Sequence, residues 1–279
     1  TRAVSRLSAK LAGEKAAAGL VRLLGGGGAA GPVAATVEIA GRPVDGLKVA
    51  ASGRAGAASA TIEGTARVTT EGAIGLDGLV KLATPDATAL GALGGRPILA
   101  FERSLPVDLS TLVGGVWPKL EFGEFSGRVG ETALRGSGRL DLGARPALVE
   151  GRLDADRLDV ETAAETLFGG PMLADDGAAP ASWATAPLFG SPLAGAVTGA
   201  LSLSVDRAAF GEVGLDRLRT RMVLGRDETR LEGIDAGFAG GRVGGEIRLG
   251  RGGDGVSTLA GRLTLDGANL GELAWRRGG

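Results

Sequence analysis

Three aspartates, Asp154, Asp156 and Asp159, lie close together in the chain, and carboxylates grouped in this way can do general acid–base work or hold calcium through oxygen ligands. In an extended backbone Asp154 and Asp156 project to the same side, with Arg152 beside them, which is the pattern of a solvated strand face. Asp175 and Asp176 are adjacent, so their side chains share no direction and no partner. The run Gly250-Arg-Gly-Gly-Asp-Gly255 has the composition of one turn of a glycine/aspartate calcium repeat, but such repeats work in tandem and this one occurs once, so it reads as a hairpin turn. The glycines from Gly25 to Gly28 have no Gly-Lys-Ser/Thr after them and no strand before them, so they form no phosphate cradle. Trp117, Trp183 and Trp275 are too scattered for a base-stacking platform, and Trp117, directly before Pro118, reads as a core residue.

The residue inventory narrows the chemistry further. The 279 residues include no Cys, no His and no Tyr, which removes disulfides, thiol nucleophiles, histidine bases and Cys/His zinc sites. No cofactor and no metal site are expected. Lys plus Arg number 31 against 32 for Asp plus Glu, so no net field draws nucleic acid. The preference for Arg over Lys travels with abundant Ala and Gly and a single Asn, Asn269, and reads as the signature of a GC-rich genome. With 51 Gly, 11 Pro and a hydrophobic share of 44%, the chain is glycine-rich yet able to fold. The longest uncharged stretch, Gly177 to Val205, is broken by Pro180, Pro187 and Pro192 and is not a membrane span. The chain opens at Thr1 with no leader pattern, as an internal or C-terminal segment of a longer protein would.

What must position any site is read from periodicity. Between Ser8 and Leu24 the residues Leu11, Ala12, Ala16, Leu20, Leu23 and Leu24 recur at helical spacing before the glycine run, which predicts a helix. Beyond it the period becomes two, at Val37/Ile39, Ile62/Val68, Leu140/Leu142, Leu201/Leu203/Val205 and Leu263/Leu265, each apolar set alternating with Thr, Ser, Arg, Asp or Glu. Glycines such as Gly136, Gly138, Gly143, Gly151, Gly199, Gly240, Gly241, Gly250 and Gly261 read as turn punctuation between strands. Short helices are expected at Asp86–Gly94 and Val160–Phe168. The segments Gly151–Asp159, Gly199–Asp206 and Gly261–Gly267 share one formula of glycine, spacer and alternating leucine, as similar extensions of one sheet would. The predicted fold is mainly β, an extended, curved antiparallel sheet with a few short α-helices. Its predicted parts are residues 1–174, an Ala/Pro/Gly-rich linker at 175–198, and a second repeat unit at 199–279.

Three stretches carry a family resemblance. Gly136-Ser-Gly-Arg-Leu-Asp-Leu-Gly-Ala-Arg-Pro-Ala-Leu-Val-Glu-Gly-Arg-Leu-Asp-Ala-Asp-Arg-Leu-Asp-Val160 resembles the core block of the AsmA family of bacterial envelope proteins. The strand and Pro-Asp turn of Leu76–Gly91, and the Gly-Gly-centred run Leu231–Leu249, resemble it too, in the same order along the chain. The resemblance implies an AsmA-like or TamB-like repeating β-groove, periplasmic and tied to the inner membrane by an N-terminal anchor outside this chain. It also implies a non-catalytic part in phospholipid transport and outer-membrane assembly. Phospholipids are then the expected partner, with Leu140, Leu142, Leu153, Leu201, Leu203, Val205, Val223, Ile247, Leu249, Leu263 and Leu265 as the expected acyl-contacting residues. The residues themselves leave two alternatives open: the same apolar faces packed as a closed core, and a structural or adhesin-like surface β protein. A carbohydrate-active enzyme would need two carboxylates, distant in sequence, to converge in a cleft.

Overall fold

The computed structural model describes residues 5–12, 33–42, 46–87, 105–163, 197–211, 213–251 and 257–269. The chain divides into two compact units, Thr1–Gly143 and Ala144–Gly279. Among the described residues both are built almost wholly of strands, and the pairing is mostly antiparallel.

The first unit carries β1 (Ser5–Ala12), β2 (Val33–Arg42), β3 (Gly46–Ala55), β4 (Ala58–Val68), β5 (Ile74–Thr84), β6 (Val107–Val116), β7 (Lys119–Val129) and β8 (Thr132–Asp141). Each pairs antiparallel with the next, so spatial order follows chain order. The second unit carries β9 (Ala147–Asp159), β10 (Val197–Phe210), β11 (Val213–Leu224), β12 (Glu228–Phe238), β13 (Gly241–Arg251) and β14 (Ser257–Asp266). Here β10 to β14 are again an antiparallel series, while β9 lies parallel to β10.

That parallel pair departs from the all-antiparallel expectation. Residues 160–196 connect the two strands, long enough for the crossover that a parallel pair requires. Two of the similar leucine segments thereby lie side by side, with Gly151 opposite Leu201 and Leu153 opposite Leu203. The crossover starts helically at residues 160–163, inside the expected helix, and Asp159 caps that turn by accepting the Thr162 amide at 3.0 Å.

The expected helix from Ser8 is corrected where it is described: Ser8–Ala12 belong to β1, in register with β2 from Glu38 to Ala34. Over so short a stretch Leu7, Ala9 and Leu11 also alternate with Arg6, Ser8 and Lys10, and strand pairing selected that period over the helical one. Residues 13–32 lie outside the described residues, as does most of the helix expected at Asp86–Gly94, of which Asp86 and Ala87 are not helical. Of the linker expected at 175–198, residues 175–196 with Asp175, Asp176 and Trp183 lie outside them, while Val197 and Thr198 belong to a strand; Trp275 and residues 252–256 also lie outside.

Glycine is corrected as well. Gly136, Gly138, Gly151, Gly199, Gly241, Gly250 and Gly261 sit within strands instead of between them. The facing pair Gly64 and Gly78 shows one reason. A Cβ on Gly78 would stand 2.6 Å from the Glu63 carbonyl oxygen and 2.8 Å from the Gly64 Cα, so β4 and β5 approach too closely there for any side chain. Gly114 of β6, by contrast, has open space where its Cβ would be.

Gly78→Ala should therefore destabilise the protein by about 1–3 kcal/mol through a backbone displacement, while Gly114→Ala should be neutral or stabilise by up to about 1 kcal/mol by restricting the unfolded chain. Urea midpoints followed by circular dichroism check both; equal midpoints would show that the close approach of β4 and β5 is not a requirement of the fold.

Candidate functional site

Directly opposed residues of paired strands share one face of the sheet, so the registers give the composition of each face. In the first unit one face carries the rows Leu47–Ala66–Leu76–Gly115–Leu120–Leu140, Val49–Gly64–Gly78–Val113–Phe122 and Val37–Ala51–Ile62–Val80–Thr111–Phe125. The opposite face carries Lys48–Thr65–Asp77–Gly114–Glu121–Arg139 and Ser52–Thr61–Lys81–Ser110–Ser126–Arg135. Leu79 and Leu112, paired with each other, are apolar exceptions on this wet face.

A local irregularity keeps the apolar face continuous across β7. Phe122 and Phe125 are three apart and would point to opposite sides of a regular strand. The extra residue of a bulge at Gly123 and Glu124 shifts the register against both β6 and β8, so that both rings fall in the apolar rows.

The second unit repeats the arrangement. Leu201 is level with Met222, Leu231 and Ile247; Leu153 with Leu203 and Thr220; Ala155 with Val205 and Leu218. On the far side of a bulge at Glu232 and Gly233, Ile234, Gly245 and Leu263 align, as do Ala236, Val243 and Leu265. Leu249 faces Thr229 and Leu259. The register of β11 against β12 also shifts between Asp216 and Arg219, where Arg217 has a φ of 52°. Leu231 and Ile234 are three apart, so the bulge between them hides their shared face from a two-residue alternation.

Of the acyl-contacting residues expected from sequence, Leu153, Leu201, Leu203, Val205, Ile247, Leu249, Leu263 and Leu265 share the apolar face of the second unit, and Leu140 lies on that of the first. Leu142 follows β8 at the end of the first unit's sheet. Val223 is on the other side: it is level with Ala200 and Arg230, and Arg230 with Arg248, so it belongs to the charged face. It directly follows Met222, and the two-residue period sends neighbours to opposite sides.

Val205, Leu218, Met222, Ile234, Ala236 and Val243 are buried in the second unit, with Val205 at 4% exposed, whereas Leu259, Leu263 and Leu265 of its last strand are exposed. In the first, Leu76, Val80, Val113, Leu120, Phe122 and Phe125 are only half-buried, and Ile62 is 43% exposed. No described side chain is completely enclosed. Trp117, expected in a core, instead sits exposed in the β6–β7 turn.

The carboxylates occupy separate places. Asp154 accepts two hydrogen bonds from Arg152, at 3.0 and 3.1 Å; Asp156 lies 3.7 Å from Arg157; Asp159 caps the helical turn. Among the described residues no three acidic side chains are grouped to hold a metal ion. The strongest ionic contact is Asp235 with Arg242, a fork-to-fork pair at 2.5 and 2.6 Å between β12 and β13. It borders a shallow depression also lined by Gly244, Thr264 and Asp266. The Arg242 hydrogen bond holds the Asp235 carboxyl below its ordinary range; desolvation partly opposes this, and the charges of Arg242, Arg219 and Arg217 reinforce it. A carboxylate so held ionised is a poor proton donor, so Asp235 does not supply the raised-pKa acid that a two-carboxylate glycosidase needs.

Because the folded pKa of Asp235 is depressed, its contribution to stability is present above the ordinary Asp value and is lost as pH falls through the lower folded value. The thermal midpoint of Arg242→Gln should lie slightly below that of the parent at neutral pH, as befits an exposed pair. The gap should close as pH drops below about 4; a gap that persists to about pH 2 would assign it to packing of the Arg242 stem.

No family model matches the chain, and no curated protein or solved structure matches it.

Proposed function

We propose that this chain shelters the acyl chains of phospholipids on the apolar sheet face of its first unit, without catalysis, as an AsmA-like periplasmic protein tied to the inner membrane and serving outer-membrane assembly. The observation that carries this reading is a continuous apolar face whose rows, from Leu76 and Val80 to Phe122 and Phe125, remain half-buried. In a closed core these side chains would be enclosed; here they keep part of their surface exposed.

The energetics suit a conduit. Each methylene leaving water gains about 0.8 kcal/mol, so an acyl chain of about 16 carbons gains on the order of 13 kcal/mol relative to water. Relative to a bilayer interior the gain is close to zero, so a lipid can enter and leave without a coupled reaction. The charged reverse face keeps the other side of the same strands in water, and the glycines within the rows leave shallow gaps between the larger side chains. The order of the three AsmA-like sequence blocks along the chain supports the same reading.

A photocrosslinking scan with p-benzoyl-phenylalanine along β5 tests it by the period of the strand. Phospholipid adducts are expected at Val80 and Leu82, on the apolar face, and not at Leu79 or Lys81, on the other. Adducts at all four positions, or at none in a protein that purifies free of lipid, would overturn the acyl-chain reading and leave a structural surface protein as the better description.

A further inference from the structure

The apolar face of the first unit ends in a row that is more exposed than those behind it. Val68, the last residue of β4, is level with Ile74, the first of β5. Trp117, in the two-residue β6–β7 turn, donates its backbone N–H to the Ile74 carbonyl at 2.9 Å, and Leu142 donates its own to the Pro118 carbonyl at 3.1 Å. These hydrogen bonds carry the row across the ends of five consecutive strands, a line about 20 Å long at ordinary strand spacing. Val68, Ile74, Trp117 and Leu142 are 55%, 50%, 49% and 42% exposed, although the rows next to them are half-buried.

The backbone at this rim is already satisfied. The Thr69 to Ala73 turn is closed by backbone hydrogen bonds of 2.8 and 2.9 Å, and the Ala73 amide also donates to the Thr69 hydroxyl. What the rim offers is therefore side-chain surface and no free hydrogen-bonding edge. Four half-exposed side chains in a line one residue deep fall well short of the roughly 1,000 Å² that a stable protein interface buries. A narrow apolar line that includes an indole does suit the boundary between headgroups and acyl chains, where amphipathic rings and aliphatic tips insert by a few ångströms.

The charges at the same end carry both signs. Arg67 and Lys119 lie on the neighbouring row of the reverse face, together with Asp141, and Glu71 is exposed in the β4–β5 turn. Lys119 is 3.9 Å from Asp141 and remains largely in water. Mixed charge complements a zwitterionic headgroup layer and gives no preference for an anionic one.

We infer that this rim, Val68, Ile74, Trp117 and Leu142, docks the protein on the interfacial layer of a zwitterionic phospholipid bilayer. The contact is distinct from acyl-chain shelter on the half-buried rows and stands on other side chains. The test uses the full chain with Trp183→Phe and Trp275→Phe, so that Trp117 alone reports. With phosphatidylcholine vesicles its emission should shift to the blue and be quenched by lipids brominated near the headgroup end of the acyl chain, with little dependence on salt. Val68→Ser, Ile74→Ser and Leu142→Ser together should weaken vesicle partition at least about tenfold, with the thermal midpoint checked so that a folding defect is not read as lost binding. Unchanged Trp117 emission with vesicles would overturn the inference, as would sedimentation showing that the same three substitutions dissociate a dimer and leave partition unaltered. Crosslinking at Val80 that persists when the vesicle signal is absent would overturn the rim alone and leave the acyl-chain reading standing; vesicle docking without Val80 adducts would do the reverse.

Discussion

Each unit depends on cross-strand alignment of like residues. A side chain in a sheet has neighbours along its row and along its strand, and these lateral contacts contribute to its burial. Register is then fixed strongly, because a slip of one residue would turn an entire apolar set, such as Leu76, Val80 and Leu82 in β5, to the wet face. The hydrogen-bonded ladder and the apolar rows thus enforce each other, and the β2–β3, β3–β4, β4–β5, β6–β7 and β7–β8 connections are short hairpins between strands adjacent in sequence.

Bulges reconcile this constraint with the actual residue order. Phe122 and Phe125, and Leu231 and Ile234, are each separated by three positions, and in each case an extra residue restores both members to the apolar side. Glycine works alongside them. At Gly64 and Gly78 the absence of side chains lets two strands draw together inside an apolar row, so some of the glycine excess serves strand interiors as well as turns.

In both units burial varies along the apolar rows. The second buries Val205, Leu218, Met222, Ile234 and Val243 but leaves Leu259, Leu263 and Leu265 exposed on its last strand, and its charged face carries ion pairs such as Arg242 with Asp235 and Arg230 with Glu228 and Glu232. The first leaves its aliphatic and aromatic rows half-covered and ends them in a still more exposed rim at Trp117.

The amino-acid sequence by itself determined the class of structure and most of the apolar face. Alternation at Val37/Ile39, Leu201/Leu203/Val205 and Leu263/Leu265 marks strands with one wet side, and such a pattern admits few other folds. It could not place Ser8–Ala12, where helical and extended periods overlap, nor assign Val223, where a one-residue shift changes the face. Nor could it see that β9 lies parallel to β10, that Trp117 is exposed, or that Phe122 and Phe125 lie side by side in space. Those were decided by tertiary structure, because register, bulges and burial depend on which strand lies alongside, and local sequence carries the period of a strand but not the identity of its neighbour.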